Sequence, residues 1–195
     1  MRSVHNHPAL HNLKGQFIIA SPALDDPNFV HGVVLVLHHD TDGAVGLIVN
    51  RALELTIEQA WSNISDLPCL VTGPLHQGGP CEGPLMVLHT GDAHAQFQTP
   101  SGISCTTNRN DIEDLVAANI DERPLKFFVN YSGWGEGQLE SEIREGAWLI
   151  APASLDQVFS LTGETLWRRL MNRAALMKAN PWLRPEQIPD DPSNN

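Results

Sequence analysis

The chain has 195 residues, of which 42% are hydrophobic and 18% charged, so we expect one globular domain with a buried core. Its formal net charge of −11 repels phosphate backbones, which disfavours sequence-independent nucleic-acid binding unless a basic patch is present. The densest basic cluster is Arg168, Arg169 and Arg173, and a solvated helix face explains it.

The cysteines indicate a reducing environment. Cys69, Cys81 and Cys105 are odd in number and include no C-x-x-C pair, which argues against both a disulfide framework and a zinc site. The N-terminus lacks the apolar core of a signal peptide, and no stretch is long enough to span a membrane. We therefore expect a cytoplasmic protein with free thiols, no metal and no cofactor.

The first third of the chain predicts three strands. After a polar, flexible N-terminus at 1–12, apolar runs predict strands at Gln16–Ala20, Val33–Leu37 and Ala44–Val49. The second run is apolar at every position, which is typical of a strand buried on both faces. Asp42-Gly43 precedes the third run and predicts a hairpin turn.

Shorter elements follow. Thr56 and Gln59 have the spacing of a capping box, which predicts a short helix reaching Ile64. A strand is expected at Leu70–Val71, followed by a Gly/Pro-rich loop from His76 to Pro84. Further strands are predicted at Leu85–His89, Gln96–Gln98 and Gly102–Thr106, and then a helix capped by Asn108 that ends near Asn119.

The segment from Pro124 to Pro152 organises the rest. Its patterns predict a buried strand, a loop with glycines at alternate positions, a helix and a second strand, at Leu125–Val129, Tyr131–Gly137, Gln138–Glu145 and Trp148–Ala151. We expect Trp134 and Trp148 to be buried. A capping box at Ser154 then predicts a short helix, and the last helix spans Glu164–Met177 before a Pro-rich tail at 179–195. The single domain therefore covers 13–178.

Several residues suggest chemistry, but a structural explanation is favoured for each. Ser132 lies between a strand and a helix without the G-x-S-x-G frame of a hydrolase. The loop glycines could bind an anion at the helix N-terminus, although Glu136 would repel it. On the helix, Glu140 is expected to pair with Arg144, while Gln138, Glu142 and Glu145 share another side and are interpreted as a solvated face.

The histidines give weak metal hypotheses. His38 and His39 are adjacent on a strand and point to opposite faces, so they are poorly placed to share a metal. His89 and His94 form a more plausible local cluster, whereas His5, His7 and His11 in the N-terminus would bind metal only adventitiously.

Taken together, several motifs resemble the AlgH/YqgE family of bacterial proteins. The specific part is the string Tyr131-x-Gly133-Trp134-x-x-Gly137-Gln-Leu-Glu140-x-Glu142. Supporting segments include Ile18-Ile-Ala-Ser-Pro22, Gly43-Ala-Val-Gly-Leu-Ile-Val-Asn-Arg51, Gly73-Pro74 and Leu88-His89, with Trp148, Pro152 and Trp167 extending the match. The chain departs from the family at Thr72 and Asn130, where glycine is usual, and in an enlarged loop at His76–Cys81.

The resemblance implies an α+β domain with a mixed, largely antiparallel sheet flanked by helices, and leaves closure into a barrel open. It implies no catalytic residue. The favoured function is a non-enzymatic regulatory or binding domain that acts through a small-molecule ligand or a protein partner. The alternatives are a DNA-binding transcriptional regulator, or an enzyme that uses Glu140, Glu142 and His89. The candidate binding residues are Asn50, Gly73, Pro74, His89, Gly133, Trp134, Gln138, Glu140 and Glu142.

Overall fold

A computed structural model describes residues 12–118 and 123–180. Within this range the chain forms eleven strands and five helices. The strands are β1 (Gln16–Ala20), β2 (Val33–Asp40), β3 (Gly43–Ile48), β4 (Ala52–Thr56), β5 (Pro74–Gln77), β6 (Met86–Thr90), β7 (Phe97–Gln98), β8 (Ile103–Thr106), β9 (Lys126–Val129), β10 (Ser132–Gly135) and β11 (Trp148–Pro152). The helices are α1 (Ile57–Trp61), α2 (Arg109–Ala117), α3 (Gln138–Arg144), α4 (Leu155–Ser160) and α5 (Gly163–Ala179).

The strands form two sheets, not a closed barrel, within the described residues. The five-stranded sheet has the order β10-β3-β2-β1-β11 and is antiparallel throughout. The six-stranded sheet has the order β4-β5-β9-β6-β8-β7, with β5 and β9 as its parallel pair. The α+β class is therefore confirmed, but the chain builds two sheets where one was expected.

Three hydrophobic clusters give the molecule its layers. The central cluster lies between the sheets, joining Phe17 and Leu35 of one to Phe128 of the other, and α4 and α5 close it with Val158 and Leu166. On the outer side of the five-stranded sheet, a second cluster packs it against α3. On the outer side of the six-stranded sheet, a third packs it against α1 and α2. Burying these faces is the main force that holds the layers together.

Local sequence signals account for most of these elements. Val33 to Leu37 is fully buried, as its apolar run predicts, and β2 and β3 pair as the expected hairpin. The Thr56–Gln59 capping box is present in both directions, although α1 ends at Trp61. Asn108 caps α2 as predicted, and the predicted helix end at Asn119 lies outside the described residues.

Two expectations about the secondary structure were wrong, and one strand was missed. The strand predicted at Leu70–Val71 forms instead at Pro74–Gln77, and Leu70 is 89% exposed. The loop predicted at Tyr131–Gly137 contains β10, which pairs with β3 as an edge strand. The edge strand β4 was not predicted, because its pattern of mostly exposed residues carries little apolar signal.

The chain termini lie largely beyond the described range. The predicted N-terminal segment at 1–12 is outside it except for Asn12, and the tail at 179–195 is outside it after Asn180. Within the described parts, no helix combines the length and the apolar character that crossing a bilayer requires.

Candidate functional site

The family motif forms a cluster around the carboxylate of Glu142 on α3. Trp134 Nε1 and Trp148 Nε1 both donate to Glu142 Oε2, at 3.0 and 2.8 Å. Gln138 Nε2 donates to Oε1 of the same carboxylate at 3.0 Å. The two indoles are 6% and 2% exposed and meet edge to face, with their centroids 6.0 Å apart, and Phe29 packs against both.

This geometry corrects the interpretation of Glu142 as part of a solvated face, whereas Gln138 and Glu145 are exposed as expected. Glu142 accepts hydrogen bonds from two indole N–H groups that burial shields from water. Trp134 reaches the core from strand β10 and not from a tight turn, and the left-handed residue is Gly137, at the N-terminus of α3. The burial of Trp134 and Trp148 is confirmed.

Glu140 makes a different contact from the predicted one. Its Oε1 lies 3.0 Å from Nε2 of His39, whose side chain is only 2% exposed. Because the backbone N–H of Leu13 donates to His39 Nδ1 at 3.1 Å, the ring proton sits on Nε2 and donates to Glu140. Arg144 Nε donates to the backbone oxygen of Glu140, not to its carboxylate.

Asn50 is a buried connector between three segments. Its Oδ1 accepts from the Val33 backbone N–H at 2.9 Å, and its Nδ2 donates to the carbonyls of His31 and Gly163, each at 2.9 Å. These bonds tie the end of β3 to the start of β2 and to the N-terminus of α5. The side-chain oxygen and nitrogen of Asn50 therefore both form hydrogen bonds with the protein's own backbone.

The glycines of the motif segments make room for backbone and side chains. Gly73 has φ +125°, and its carbonyl accepts from the Ile57 N–H at the start of α1, directly before Pro74 opens β5. A Cβ added to Gly133 would come 3.1 Å from the Tyr131 ring and 3.7 Å from Cys81 Sγ. Both positions therefore shape the fold locally.

The remaining predicted groups do not assemble a reaction centre. His89 is on β6 of the six-stranded sheet and faces away from α3, so the structure does not bring it to Glu140 and Glu142. Ser132 is fully buried, and its hydroxyl donates to the Gly78 carbonyl at 3.0 Å. The carboxylate and histidine arrangement required by the enzyme alternative is not formed by these residues.

Two buried basic side chains that the sequence patterns did not single out lie between the sheets. His76 and Lys126 are 4% and 5% exposed, and both ring nitrogens of His76 lack a hydrogen-bond partner among the described residues. Burial lowers the pKa of His76 to about 4, helped by the charge of Lys126. Burial also lowers the pKa of Lys126 to about 8, while its Nζ donates to the Val158 carbonyl at 2.9 Å.

A groove of about 470 Å³ lies between β11 and the second half of α5. Apolar side chains dominate its lining, among them Leu149, Ala151, Leu170, Met171, Ala174 and Met177. Beside it, Ile150 is 40% exposed. We call this surface the β11–α5 groove.

None of the predicted binding residues lines this groove. Its two walls, β11 and α5, are separate segments of the sequence. The apolar pattern of each is that of an ordinary core element, so neither pattern predicts a groove. The one available signal was Pro152 at the end of β11, since proline within a sheet is confined to edge strands, strand starts and bulges.

Comparisons with known proteins agree with the fold and the motif. The family model DUF179, described as AlgH-like, matches residues 17–178. A UPF0301 protein of Thioalkalivibrio sulfidiphilus is 35% identical over 163 residues, which cover 80% of this chain and 87% of the relative. A UPF0301 protein of Streptomyces avermitilis is 33% identical over 195 residues, covering 94% and 96% of the two chains.

Solved structures show the same architecture. The solution structure of the AlgH protein from Pseudomonas aeruginosa matches with a TM-score of 0.69 and 27% identity, over 91% of this chain and 98% of that one. Protein DIP2367 from Corynebacterium diphtheriae matches with a TM-score of 0.65 at 21% identity, over 93% and 92%, which bears on the fold alone. From the family match and the curated relatives together, the chain belongs to the AlgH-like family.

Proposed function

We propose that this chain is a non-enzymatic, cytoplasmic regulatory domain that binds a protein partner. The partner contributes an extended segment, which adds to β11 as a further strand and places apolar side chains in the β11–α5 groove. The observation that carries the proposal is the open backbone edge of β11 directly beside an apolar groove. Strand addition of this kind supplies affinity through backbone hydrogen bonds and specificity through alternate side chains.

The hydrogen bonds between β1 and β11 identify which groups are open. Ser21 N–H donates to the Ala147 carbonyl, and Ala153 N–H donates to the Gly15 carbonyl. In an antiparallel register, the odd-numbered residues of β11 therefore face β1. Trp148, Ile150 and Pro152 point their backbone groups toward the free edge, where no described strand pairs with them.

The side chains define what such a segment must look like. Leu149 and Ala151 face the central cluster and α5, whereas Ile150 faces the opposite side of the sheet. A strand added beside them would direct every second side chain under α5, against Leu170 and Ala174. We infer a segment with small or medium apolar residues at alternate positions. Because Pro152 has no N–H, pairing extends from Trp148 to the carbonyl of Pro152.

Charge argues against DNA as the partner. The net charge is −11, and within the basic cluster Arg168 already pairs with Glu164 at 3.0 Å. The groove itself is mainly apolar, whereas a phosphate backbone requires a basic surface. Cys69, Cys81 and Cys105 are unpaired thiols, which is consistent with action in a reducing compartment.

The first test is a selection of random displayed peptides on the full-length chain. We expect the selected peptides to carry apolar residues at alternate positions. Ala174→Arg should weaken their binding by about tenfold or more, because the new side chain fills the groove. The matched control is Ala117→Arg, which makes the same change at an exposed position on α2 and should leave binding unchanged.

Amide hydrogen exchange gives a second readout. Bound peptide should slow exchange at the Trp148 and Ile150 amides, which face the open edge. Unprotected β11 amides, or binding that survives Ala174→Arg, would overturn the proposal. Two other results would also overturn it, because each assigns the groove another occupant. Self-association of the free protein that Ala174→Arg abolishes would indicate a second copy of the chain. Faster exchange at Ile150 after deletion of 181–195 would indicate the C-terminal segment.

A further inference from the structure

A cluster of metal-ligating side chains lies on the opposite sheet, away from the β11–α5 groove. His94, Asp111 and Asp114 each offer one ligand atom, and these atoms lie within 4.8 Å of one another. His94 follows β6, and its Nδ1 is 2.9 Å from Asp111 Oδ1. Asp111 and Asp114 are three residues apart on α2 and so lie on one side of that helix.

The sheet beside this cluster carries buried polar atoms without partners. His89 is two residues from Val87 on β6 and shares its face, and Val87 packs against Ile112 of α2. Thr106 on β8 lies opposite Val87, and so its side chain is on that face too. Nε2 of His89 and Oγ1 of Thr106 are both buried, with no hydrogen-bond partner among the described residues.

His89 is 1% exposed and lies on the face of β6 that shares a hydrophobic cluster with α2, the helix that carries Asp111 and Asp114. Buried polar atoms without partners are rare in native proteins and commonly mark an ordered water or ion. This observation is independent of the ligand distances in the cluster.

We propose that His94, Asp111 and Asp114 bind a divalent transition-metal ion beside the sheet face that carries His89 and Thr106. One imidazole nitrogen and two carboxylate oxygens suit zinc and its neighbours in the first transition row. Magnesium is a poor match, because it prefers oxygen ligands alone in an octahedral arrangement. The site uses none of the three cysteines and does not depend on the proposed function.

The same chain supplies a matched comparison. His38 Nε2 lies 2.7 Å from Asp40 Oδ2, which is a histidine–aspartate pair on the surface like that of His94 and Asp111. Within the described residues, only the His94–Asp111 pair has a third ligand within reach. If a histidine–aspartate pair were sufficient, both places would bind metal equally.

The experiment is calorimetric titration of Zn²⁺ into the full-length protein after removal of metal. The background variant carries His5→Gln, His7→Gln and His11→Gln, because these N-terminal histidines could bind zinc by themselves. We expect about one Zn²⁺ per chain. Asp114→Asn or His94→Gln should weaken binding by about tenfold or more, while His38→Gln has no effect.

Two further results decide the identity of the site. Millimolar Mg²⁺ should fail to displace Zn²⁺, and displacement at equal concentrations would overturn the assignment to a transition metal. Denaturant unfolding of Asp114→Asn should match the parent without metal, since its side chain is exposed. The metal site is refuted if the background variant binds no zinc, or if it binds zinc equally well with Asn at position 114.

Discussion

At the scale of single residues, Glu142 connects the family motif to the hydrophobic core. One carboxylate oxygen accepts from two indoles that are almost fully buried, so removing it leaves two donors without partners. A buried polar group without its partner costs about 1–3 kcal/mol. This residue therefore has a structural role that is independent of any ligand.

The corresponding prediction concerns Glu142→Gln. We expect this change to lower the free energy of unfolding by about 1–2 kcal/mol, because an amide cannot accept from both indoles and from Gln138 in the same geometry. Trp134→Ala should cost about 3–5 kcal/mol, since it also empties a large buried volume. Urea denaturation measures both.

The control is Glu145→Gln, which makes the same change at the exposed residue directly after α3. It should change stability by less than about 0.5 kcal/mol. Equal effects at positions 142 and 145 would show that the indole contacts contribute little, and that α3 is a solvated face as its charge pattern suggests.

At the scale of elements, local signals were sufficient where one face of a strand or helix is strongly apolar. They located β1 to β3, β9 and β11 by short apolar runs, and α3 by Leu139 and Ile143 on one side of the helix. They failed at β4, β5 and β10, where pairing with a neighbour decides the structure. Pro74 and the glycines of β10 have low strand propensity, but hydrogen bonds to β4 and β3 override it.

The position of α5 depends on a few long-range bonds that no local pattern predicts. Asn50 bonds to the Gly163 carbonyl at the first residue of α5, and Trp167 Nε1 donates to the Ala20 carbonyl at 2.7 Å. These contacts join residues more than 100 positions apart. They align α5 with β11 and thereby create the groove, which explains why the groove could not be read from the sequence.

We predict that Asn50→Ala destabilises the protein by about 1–3 kcal/mol and speeds amide exchange in the first turn of α5. The change removes the acceptor of the Val33 N–H and one donor to each of the carbonyls of His31 and Gly163. Asn63→Ala is the control, because Asn63 bonds only within its own exposed turn. If α5 exchanges no faster in Asn50→Ala, packing alone holds the helix.

At the scale of the whole molecule, we expect the two titratable groups between the sheets, His76 and Lys126, to make stability depend on pH. Two facing sheets exclude water from His76 and Lys126, and both pKa values are lowered mainly for that reason. The sequence shows only that these residues interrupt apolar strands. Their interaction depends on the parallel pairing of β5 with β9, which joins distant segments.

The last prediction is a stability maximum on the alkaline side of neutrality. The pKa of His76 falls from 6.5 to about 4 on folding, so folding disfavours its protonated form, and stability is lost as pH drops through this window. The pKa of Lys126 falls from 10.5 to about 8, so its contribution is complete only above 10.5 and is lost as pH falls toward 8.

Each shift corresponds to about 3 kcal/mol as an order of magnitude. Urea denaturation from pH 4 to 9 should show both slopes. Above pH 9 the buried thiol of Cys105, whose pKa burial raises to about 12, loses stability as pH rises and opposes the effect of Lys126. His76→Phe should flatten the acid slope and Lys126→Met the alkaline one, because each variant removes one titrating group while filling a similar space. A Lys126→Met variant that keeps the parent's rise between pH 8 and 9 would place the alkaline titration at another residue, and the inter-sheet pair would then have no part in it.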